Sequence, residues 1–334
     1  MDYLPGPCYR GDPVASGNLS RMAEHSVDET TSTAKAYVLL CLMPLFFSSN
    51  ILIGRAAADL VPPFSLAFWR WAIAFAILLP IGWSGILAHR DILRSEIRAL
   101  LSMAFLGMWI CGAVVYIGLQ DTTATNAALI YTASPVLIIL FEWLRGNQPL
   151  SGVQLAGIAT ALAGVLAIIF KGEVTAMASL SLNPGDLWIA FGAFSWSIYS
   201  IVSRRPAIRS LPTMSLMAVV TGLGALMLTP FAASETIEQG MPSEPRAWAS
   251  ILGVAFFASV LAFTAYQKGV KLVGPGRTSL FLYLNPVYAA VLAAVFLGER
   301  VHGYHLAGAV LIFAGVALAT RGQAANRPVT ARER

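Results

Sequence analysis

Ten blocks of apolar residues, each about 20 residues long, alternate with short polar segments along the chain. A helix needs about 20 apolar residues to cross roughly 30 Å of hydrocarbon, so each block predicts a transmembrane helix. The predicted spans are residues 36–54, 64–83, 98–119, 123–143, 153–170, 186–203, 213–232, 248–268, 277–297 and 303–320. The connections between the spans are too short to hold a domain outside the membrane.

Part of the first half of the chain recurs in the second half. Residues 134–165 align without gaps on residues 285–316 at a constant offset of 151. A weaker match at an offset of 149 relates the first helices of the two halves and pairs Asn50 with Tyr199. Each repeat has an odd number of spans, so the two halves must enter the membrane in opposite senses. Secondary transporters share this inverted-repeat design and bind their substrates near the midplane.

These observations predict an all-α membrane protein with ten transmembrane helices in two inverted five-helix repeats. The first repeat covers residues 35–171 and the second covers residues 185–321. Residues 1–34 mix Pro, Gly and charge, which predicts a disordered cytoplasmic tail and not a cleaved signal peptide. Residues 322–334 form a short basic tail. Both Met1 and Met22 fit as the start of translation.

Basic residues are distributed unequally between the two sides of the predicted bundle. With the N-terminus in the cytoplasm, seventeen Lys and Arg residues lie on the cytoplasmic side, four lie on the opposite side and Arg70 lies within a span. Cytoplasmic loops of membrane proteins are enriched in Lys and Arg. We therefore expect a multi-pass protein of the inner (plasma) membrane with both termini in the cytoplasm.

The composition agrees with this class and excludes others. Hydrophobic residues make up 57% of the chain and charged residues 12%, whereas soluble proteins carry about 25% charged residues. The net charge of +5 lies in the loops, which argues against a nucleic-acid partner. The three cysteines show neither disulfide nor metal spacing. We expect no metal and no cofactor. The expected partners are a small-molecule substrate and the lipid bilayer, and the expected oligomeric state is a monomer or a weak dimer.

Short motifs along both halves resemble those of a known family. They are Phe47-Ser48-Ser49-Asn50, Pro62-Pro63, Ala67-Phe68-Trp69-Arg70, Asn126-Ala127-Ala128-Leu129, Ser134-Pro135, Gly185-Asp186-Leu187, Trp196 with Tyr199, Ser203-Arg204-Arg205, and Asn285-Pro286 through Leu297-Gly298-Glu299-Arg300. In order and spacing they resemble the ten-helix EamA-type members of the drug/metabolite transporter superfamily. The resemblance implies export of amino acids or other small metabolites by alternating access. The chain departs from it at Phe47, where many relatives have Trp, and at Gly146-Asn147-Gln148, where Gly-Glu-Arg is common.

Arg70 is the most unusual residue of the predicted spans. It lies about eight residues past Pro62, roughly 12 Å along the helix axis. A charged side chain at such depth costs about 2.5–3.5 kcal/mol on insertion scales and usually faces a cavity or a partner. Arg70 would pair with a substrate carboxylate, or else extend its side chain to the membrane interface.

Several other polar and aromatic residues are predicted near the middle of the spans. With Arg70, the predicted substrate-binding residues are Asn50, Trp109, Tyr131, Ser134, Trp196, Tyr199, Tyr283 and Asn285. Lipid offers them no hydrogen bonds, so they bond either between helices or to a substrate in a cavity. Their matching depths in both repeats favour a cavity. Pro135 and Pro286 are predicted hinges, with a static kink as the alternative.

The spans also lack certain residues. No Asp, Glu or His lies deep in any predicted span, which favours a uniporter or exchanger without a carboxylate relay. Gly157, Ala161 and Gly164 form a small-residue face that permits close helix packing, more often within a chain than between chains.

Other function classes fit the sequence less well. The chain has no HExxH or GxSxG motif and no pair of midspan acids, so we expect no catalytic residues and no enzyme. A receptor would normally carry a signalling domain. A nucleotide-sugar or sugar-phosphate carrier is the main alternative, but such substrates call for several deep basic residues, and only Arg70 is deep. The sequence therefore predicts a metabolite exporter.

Overall fold

In the computed structural model of this chain, the apolar blocks form helices throughout the described residues. The structure describes residues 37–50, 52–54, 56–57, 59–122, 127, 130–146, 151–170, 184–297 and 303–325. Within these ranges there is no β-strand, which confirms the all-helical prediction. The described residues from 40 onward form one compact unit. The predicted tail at 1–34 lies outside the described residues.

The helices are numbered here in chain order. They are α1 (Tyr37–Gly54), α2 (Pro63–Ala88), α3 (Arg90–Ser95), α4 (Ile97–Asp121), α5 (Ala133–Leu144), α6 (Gly152–Ile169), α7 (Pro184–Val202), α8 (Pro206–Ser210), α9 (Thr213–Gln239), α10 (Pro245–Val273), α11 (Pro275–Leu280), α12 (Asn285–Leu297) and α13 (Gly303–Ala325). The last helix continues past the predicted end of the final span, and the rest of the basic tail is outside the described residues.

Each of the ten predicted spans has a helix at its position. Among the described residues, α1, α2, α4, α9 and α10 are long and apolar enough to cross a membrane. The segments Ala133–Leu144, Gly152–Ala167 and Leu306–Arg321 are shorter apolar helices. The number of membrane crossings therefore stays a prediction. The assignment to the all-helical fold class does not require that number.

Helices α2 and α9 pack antiparallel, and each end is tied by a hydrogen bond. Ser215 Oγ at the start of α9 donates to the carbonyl oxygen of Gly82 near the end of α2, at 2.8 Å. At the opposite end, the Glu235 carboxylate accepts from the backbone N–H groups of Phe64 (3.1 Å) and Ser65 (2.7 Å). A carboxylate satisfies the unpaired N–H groups of a helix start and interacts favourably with its dipole.

Helices α6 and α13 also pack antiparallel, at a distance that only small residues allow. A Cβ added at Gly157 would lie 2.3 Å from the backbone nitrogen of Ala319 and 2.7 Å from the carbonyl oxygen of Gly315. A Cβ added at Gly164 would lie 2.6 Å from the carbonyl oxygen of Gly308. Any larger side chain would push the helices apart. The small-residue face is therefore occupied within the chain.

Helices α4 and α10 each contain a π-helical section, and the two sections begin 150 residues apart. They span Ala104–Val114 and Val254–Leu261. Such sections are frequent at functional sites and leave carbonyl groups open to other donors. In α4 the carbonyl oxygen of Met108 accepts from Trp71 Nε1 at 3.0 Å. The backbone of α4 is thereby tied to a side chain of α2 beside the candidate site.

Both predicted hinge prolines lie directly after a break in a helix. A turn at Thr132 precedes α5, and Pro135 lies in the first turn of α5. A 3₁₀ segment, Phe281–Leu284, precedes α12, and Pro286 is the second residue of α12. The first N–H groups of a helix have no intrahelical acceptor, so proline costs little there. The hinge role itself stays a prediction.

Candidate functional site

Arg70 lies where four helices meet. Its side chain is 1% exposed, so it is buried within the bundle and not extended to an interface. Its Nε donates to Ser259 Oγ of α10 at 2.9 Å, and its Nη1 donates to Asn50 Oδ1 of α1 at 2.9 Å and to the Tyr116 hydroxyl oxygen of α4 at 2.5 Å. The Tyr116 hydroxyl in turn donates to Asn50 Oδ1 at 2.8 Å. Since Ser259 belongs to the second half of the chain, this network joins both halves.

Two aromatic rings flank the guanidinium group. The Arg70 guanidinium carbon lies 4.3 Å from the ring centroid of Trp71 and 5.6 Å from that of Tyr116. A cation over an aromatic face gains about 2 kcal/mol or more when the pair is desolvated. The hydrogen bonds and the rings together hold Arg70 in one orientation.

The charge of Arg70 has no carboxylate partner in the described part of the chain. The two buried carboxylates there are held elsewhere: Glu142 pairs with Arg204 at 2.7 Å, and Asp186 accepts from the Thr122 hydroxyl. The described side-chain groups that bind Arg70, those of Ser259, Asn50 and Tyr116, are neutral. Transferring a charged group from water into the protein interior costs several kcal/mol unless an opposite charge compensates it. Arg70 is therefore suited to bind an anionic group from outside the chain.

Six aromatic rings pack together next to Arg70, and we call them the aromatic cluster. They belong to Phe47, Trp71, Trp196, Tyr199, Phe263 and Tyr266. Trp196 is central, because its ring lies 4.7–5.5 Å from four others. Trp71 joins the cluster to Arg70, its ring being 5.0 Å from that of Phe263. Most of these pairs are tilted or edge-to-face, the arrangement that ring quadrupoles favour.

Several buried polar atoms have no hydrogen-bond partner among the described residues. They are Trp196 Nε1, Thr264 Oγ1, the Tyr283 hydroxyl oxygen and Asn285 Oδ1. More than nine in ten buried polar groups in proteins are hydrogen-bonded, so such atoms point to a binding function or to strain. Three of the four belong to predicted site residues. Asn285 lies next to α1, because its backbone carbonyl accepts from Ser48 Oγ at 2.9 Å.

The structure brings some predicted site residues together and leaves others apart. Asn50, Arg70, Trp196 and Tyr199 share the Arg70 network and the aromatic cluster. Trp109 instead packs against three rings, two of which are more than 40% exposed. These rings are Phe64, Phe105 and Phe231, at centroid distances of 5.4–5.8 Å from Trp109.

Two further predicted residues lie between α5 and α7. Ser134 Oγ donates to the carbonyl oxygen of Ala193 at 3.4 Å, and Ser197 Oγ donates to the carbonyl oxygen of Ser134 at 3.3 Å. The Tyr131 hydroxyl lies beside Gly192, 3.1 Å from where a Cβ would stand. These contacts are of the helix–helix kind that the sequence left open as the alternative.

Sequence reasoning missed Tyr116 and Tyr266, although a signal for them exists. The two tyrosines are 150 residues apart. Tyr116 donates to Asn50, and Tyr266 donates to Ser200 Oγ at 2.6 Å, so their partners are also 150 residues apart. The hydrogen bonds thus show that Asn50 and Ser200 occupy equivalent positions in the two repeats. The 149-residue offset instead matched Asn50 to Tyr199, one residue earlier. Aligning the halves at an offset of 150 would have found both tyrosines.

Two adjacent arginines directly after the end of α7 bind carboxylates of the first half of the chain. We call the pairs Arg204–Glu142 and Arg205–Glu96 the ion-pair gate. Arg204 Nη1 lies 2.7 Å from Glu142 Oε1, and Arg205 Nε lies 3.0 Å from Glu96 Oε2. The Glu142 side chain is 4% exposed and the Glu96 side chain 16%. Both pairs lie at the end of the bundle that the charge distribution predicts to be cytoplasmic.

In the described part of the chain, all regular elements are helical, corresponding helices of the two halves pack antiparallel, and the buried Arg70 network joins both halves. This is the design of a secondary transporter. The sequence profile of the EamA-like transporter family matches residues 34–170 and, a second time, residues 183–321. The chain belongs to this family, within the drug/metabolite transporter superfamily, and the double match confirms the two-repeat prediction. It is therefore a multi-pass membrane protein with a small-molecule substrate.

Similar proteins carry transporter names. The uncharacterized transporter YyaM of Bacillus subtilis is 27% identical over 290 residues, which cover 85% of this chain and 93% of YyaM. The uncharacterized inner membrane transporter YedA of Escherichia coli K12 is 27% identical over 300 residues, which cover 84% of this chain and 92% of YedA. A crystal structure with a TM-score of 0.69 and 22% identity covers 88% of this chain and 99% of its own, which shows a shared fold.

Proposed function

We propose that this protein exports a small carboxylate-bearing metabolite, an amino acid or related compound, across the inner membrane by alternating access, with both termini in the cytoplasm. The observation that carries the proposal is the buried Arg70 guanidinium, which contacts both repeats and whose partners among the described residues are all neutral. A guanidinium group binds a carboxylate through two parallel, charge-assisted hydrogen bonds. No other Lys or Arg side chain of the described residues is buried.

The surrounding residues have distinct roles in this proposal. Asn50 and Tyr116 orient the guanidinium, and Trp196 and Tyr199 provide an apolar wall for the substrate body. The unpaired atoms of Tyr283 and Asn285 supply further hydrogen bonds near the start of α12. Apolar walls with a few placed polar groups are typical of small-molecule sites.

Alternating access requires parts of the bundle to separate at one end and then at the other. The ion-pair gate holds the repeats together at the predicted cytoplasmic end, so loading from the cytoplasm requires Glu142 and Glu96 to leave Arg204 and Arg205. The breaks before Pro135 and Pro286 would let α5 and α12 tilt. Discontinuous helices serve this purpose in other secondary transporters.

Export is tested by a metabolite efflux panel that compares cells with and without the gene. The panel includes amino acids, other organic acids, sugar phosphates and nucleotide sugars. We expect faster efflux of one or more carboxylates. Release of sugar phosphates or nucleotide sugars alone would favour the alternative carrier, and no change for any compound would contradict export.

The site is tested with the double variant Trp196→Ala and Tyr199→Ala. It should reduce export at least tenfold while membrane insertion stays normal, because two rings at the centre of the aromatic cluster are lost. Trp188→Ala is the matched control, since Trp188 lies on the same helix but is 44% exposed. Normal export by the double variant would contradict the site.

A further inference from the structure

Building on the proposed transport function, we infer that the substrate is a monoanion: an organic acid with one carboxylate and no ammonium group. Loading such a compound makes the Arg70 site neutral. A zwitterionic amino acid with the same body would leave the site with its full positive charge. The inference narrows the proposed substrates from amino acids and related carboxylates to those related carboxylates that have no ammonium group.

The charges of the described residues support this class. The buried ionisable side chains of Asp, Glu, Lys and Arg there are Arg70, Glu142 and Asp186. Glu142 is neutralised by Arg204, and Asp186 accepts from Thr122, which lies after the end of α4. Neither carboxylate is among the hydrogen-bond partners of Arg70, so within the described residues the Arg70 network has one positive charge and no negative one. One negative charge from the substrate balances it.

An ammonium group would be placed unfavourably in this site. In an α-amino acid whose carboxylate binds Arg70, the ammonium nitrogen would stand about 5 Å from the guanidinium, where like charges repel strongly in a low-dielectric interior. Among the described residues, the buried oxygens without partners are those of Tyr283, Asn285 and Thr264, and all three are neutral. They can accept hydrogen bonds but cannot cancel the charge.

The aromatic cluster does not offset this disadvantage. Aromatic faces attract cations, but the rings of Trp71 and Tyr116 already lie over the Arg70 guanidinium. The Trp196 ring is surrounded by Phe47, Tyr199 and other cluster rings. The cluster is thus suited to an apolar substrate body, with the negative charge directed at Arg70.

The test uses compounds that differ in charge but not in body. Binding to the purified full-length protein in lipid nanodiscs is measured by calorimetry for phenyllactate and N-acetylphenylalanine (monoanions), phenylalanine (zwitterion) and phenethylamine (cation). Lactate and alanine repeat the comparison with a small body. We expect each monoanion to bind at least tenfold more tightly than the zwitterion of the same body, and phenethylamine not to bind.

Variants of Arg70 connect the preference to this residue. Arg70→Lys keeps the positive charge and should keep the order of affinities, whereas Arg70→Gln should abolish the difference between monoanion and zwitterion. Equal or tighter binding of the zwitterions overturns the inference and leaves the export function standing. Binding of none of the compounds contradicts both. If Arg70→Gln does not fold, an unchanged order in wild type and Arg70→Lys still supports the inference, and a reversed order refutes it.

Discussion

The two repeats share their backbone devices but not their chemistry. Both contain a π-helical section, starting at Ala104 and at Val254, and both contain a tyrosine that hydrogen-bonds to the first helix of its repeat. Both also have a proline directly after a helix break. Each of these features lies within a single repeat, so each repeat needs its own copy.

The charged and polar residues of the site, in contrast, are not repeated between the two halves. At the offset of 150, Arg70 corresponds to Val220, and Ser259, which binds Arg70, corresponds to Trp109. The first repeat therefore supplies the charge of the site, while the second supplies four of the six rings of the aromatic cluster, namely Trp196, Tyr199, Phe263 and Tyr266. In the proposed mechanism, the repeated features therefore build the frame that moves, and the unrepeated ones bind the substrate.

The largest expected effect concerns the repeated frame. Gly164 and Gly315 occupy equivalent positions and each lies against the backbone of the opposite helix, so Gly164→Leu and Gly315→Leu should both prevent folding of the α6–α13 pair. An added Cβ would stand 2.6 Å or less from backbone atoms at either site. Monodisperse protein, measured by fluorescence-detected size-exclusion chromatography, should fall at least tenfold for both variants.

Two other glycines of the same helices provide matched controls. Gly152 and Gly303 also correspond between the repeats, and nothing lies within 4 Å of a Cβ added at either. Gly152→Leu and Gly303→Leu should leave the amount of folded protein within about twofold of wild type. If only one of the two variants folded normally, the α6–α13 contact would not depend equally on the two equivalent glycines.

Hydropathy and charge predict the frame well because membrane helices must satisfy a length and a burial requirement. The predicted start of the second span, residue 64, lies one residue from Pro63, where α2 begins. Depth in the membrane, however, says nothing about which face of a helix a residue occupies. Trp109 has the predicted depth but packs near the outer surface, whereas Tyr116, seven residues further along α4, contacts Arg70.

The intermediate effect concerns the ion-pair gate, which the repeats also do not share. Glu142 is followed 151 residues later by Ala293, so its pair with Arg204 has no counterpart. Glu142→Gln should lower the melting temperature in detergent by several degrees, because removing one member of a buried pair leaves the other without a partner. Nanoscale fluorimetry of the purified protein measures the shift.

The second pair of the gate is the control for the first. Arg205 is 56% exposed, and an exposed ion pair contributes about 1 kcal/mol or less. Glu96→Gln should therefore change the melting temperature by no more than about one degree. Equal shifts for Glu142→Gln and Glu96→Gln would mean that burial of the first pair does not strengthen the gate.

The smallest and most discriminating effect compares the two equivalent tyrosines. Tyr116→Phe removes a hydroxyl that binds both Arg70 and Asn50, so substrate affinity should fall about fivefold to tenfold, the value of one typical intramolecular hydrogen bond. Tyr266→Phe removes only a bond to Ser200 and keeps the ring in the aromatic cluster, so affinity should change less than twofold. Direct binding measurements on both purified variants, with the carboxylate identified in the efflux panel, make the comparison. Each substitution removes only the hydroxyl oxygen. If Tyr266→Phe lowered the affinity more than Tyr116→Phe, substrate recognition would therefore belong to the second repeat and not to the first.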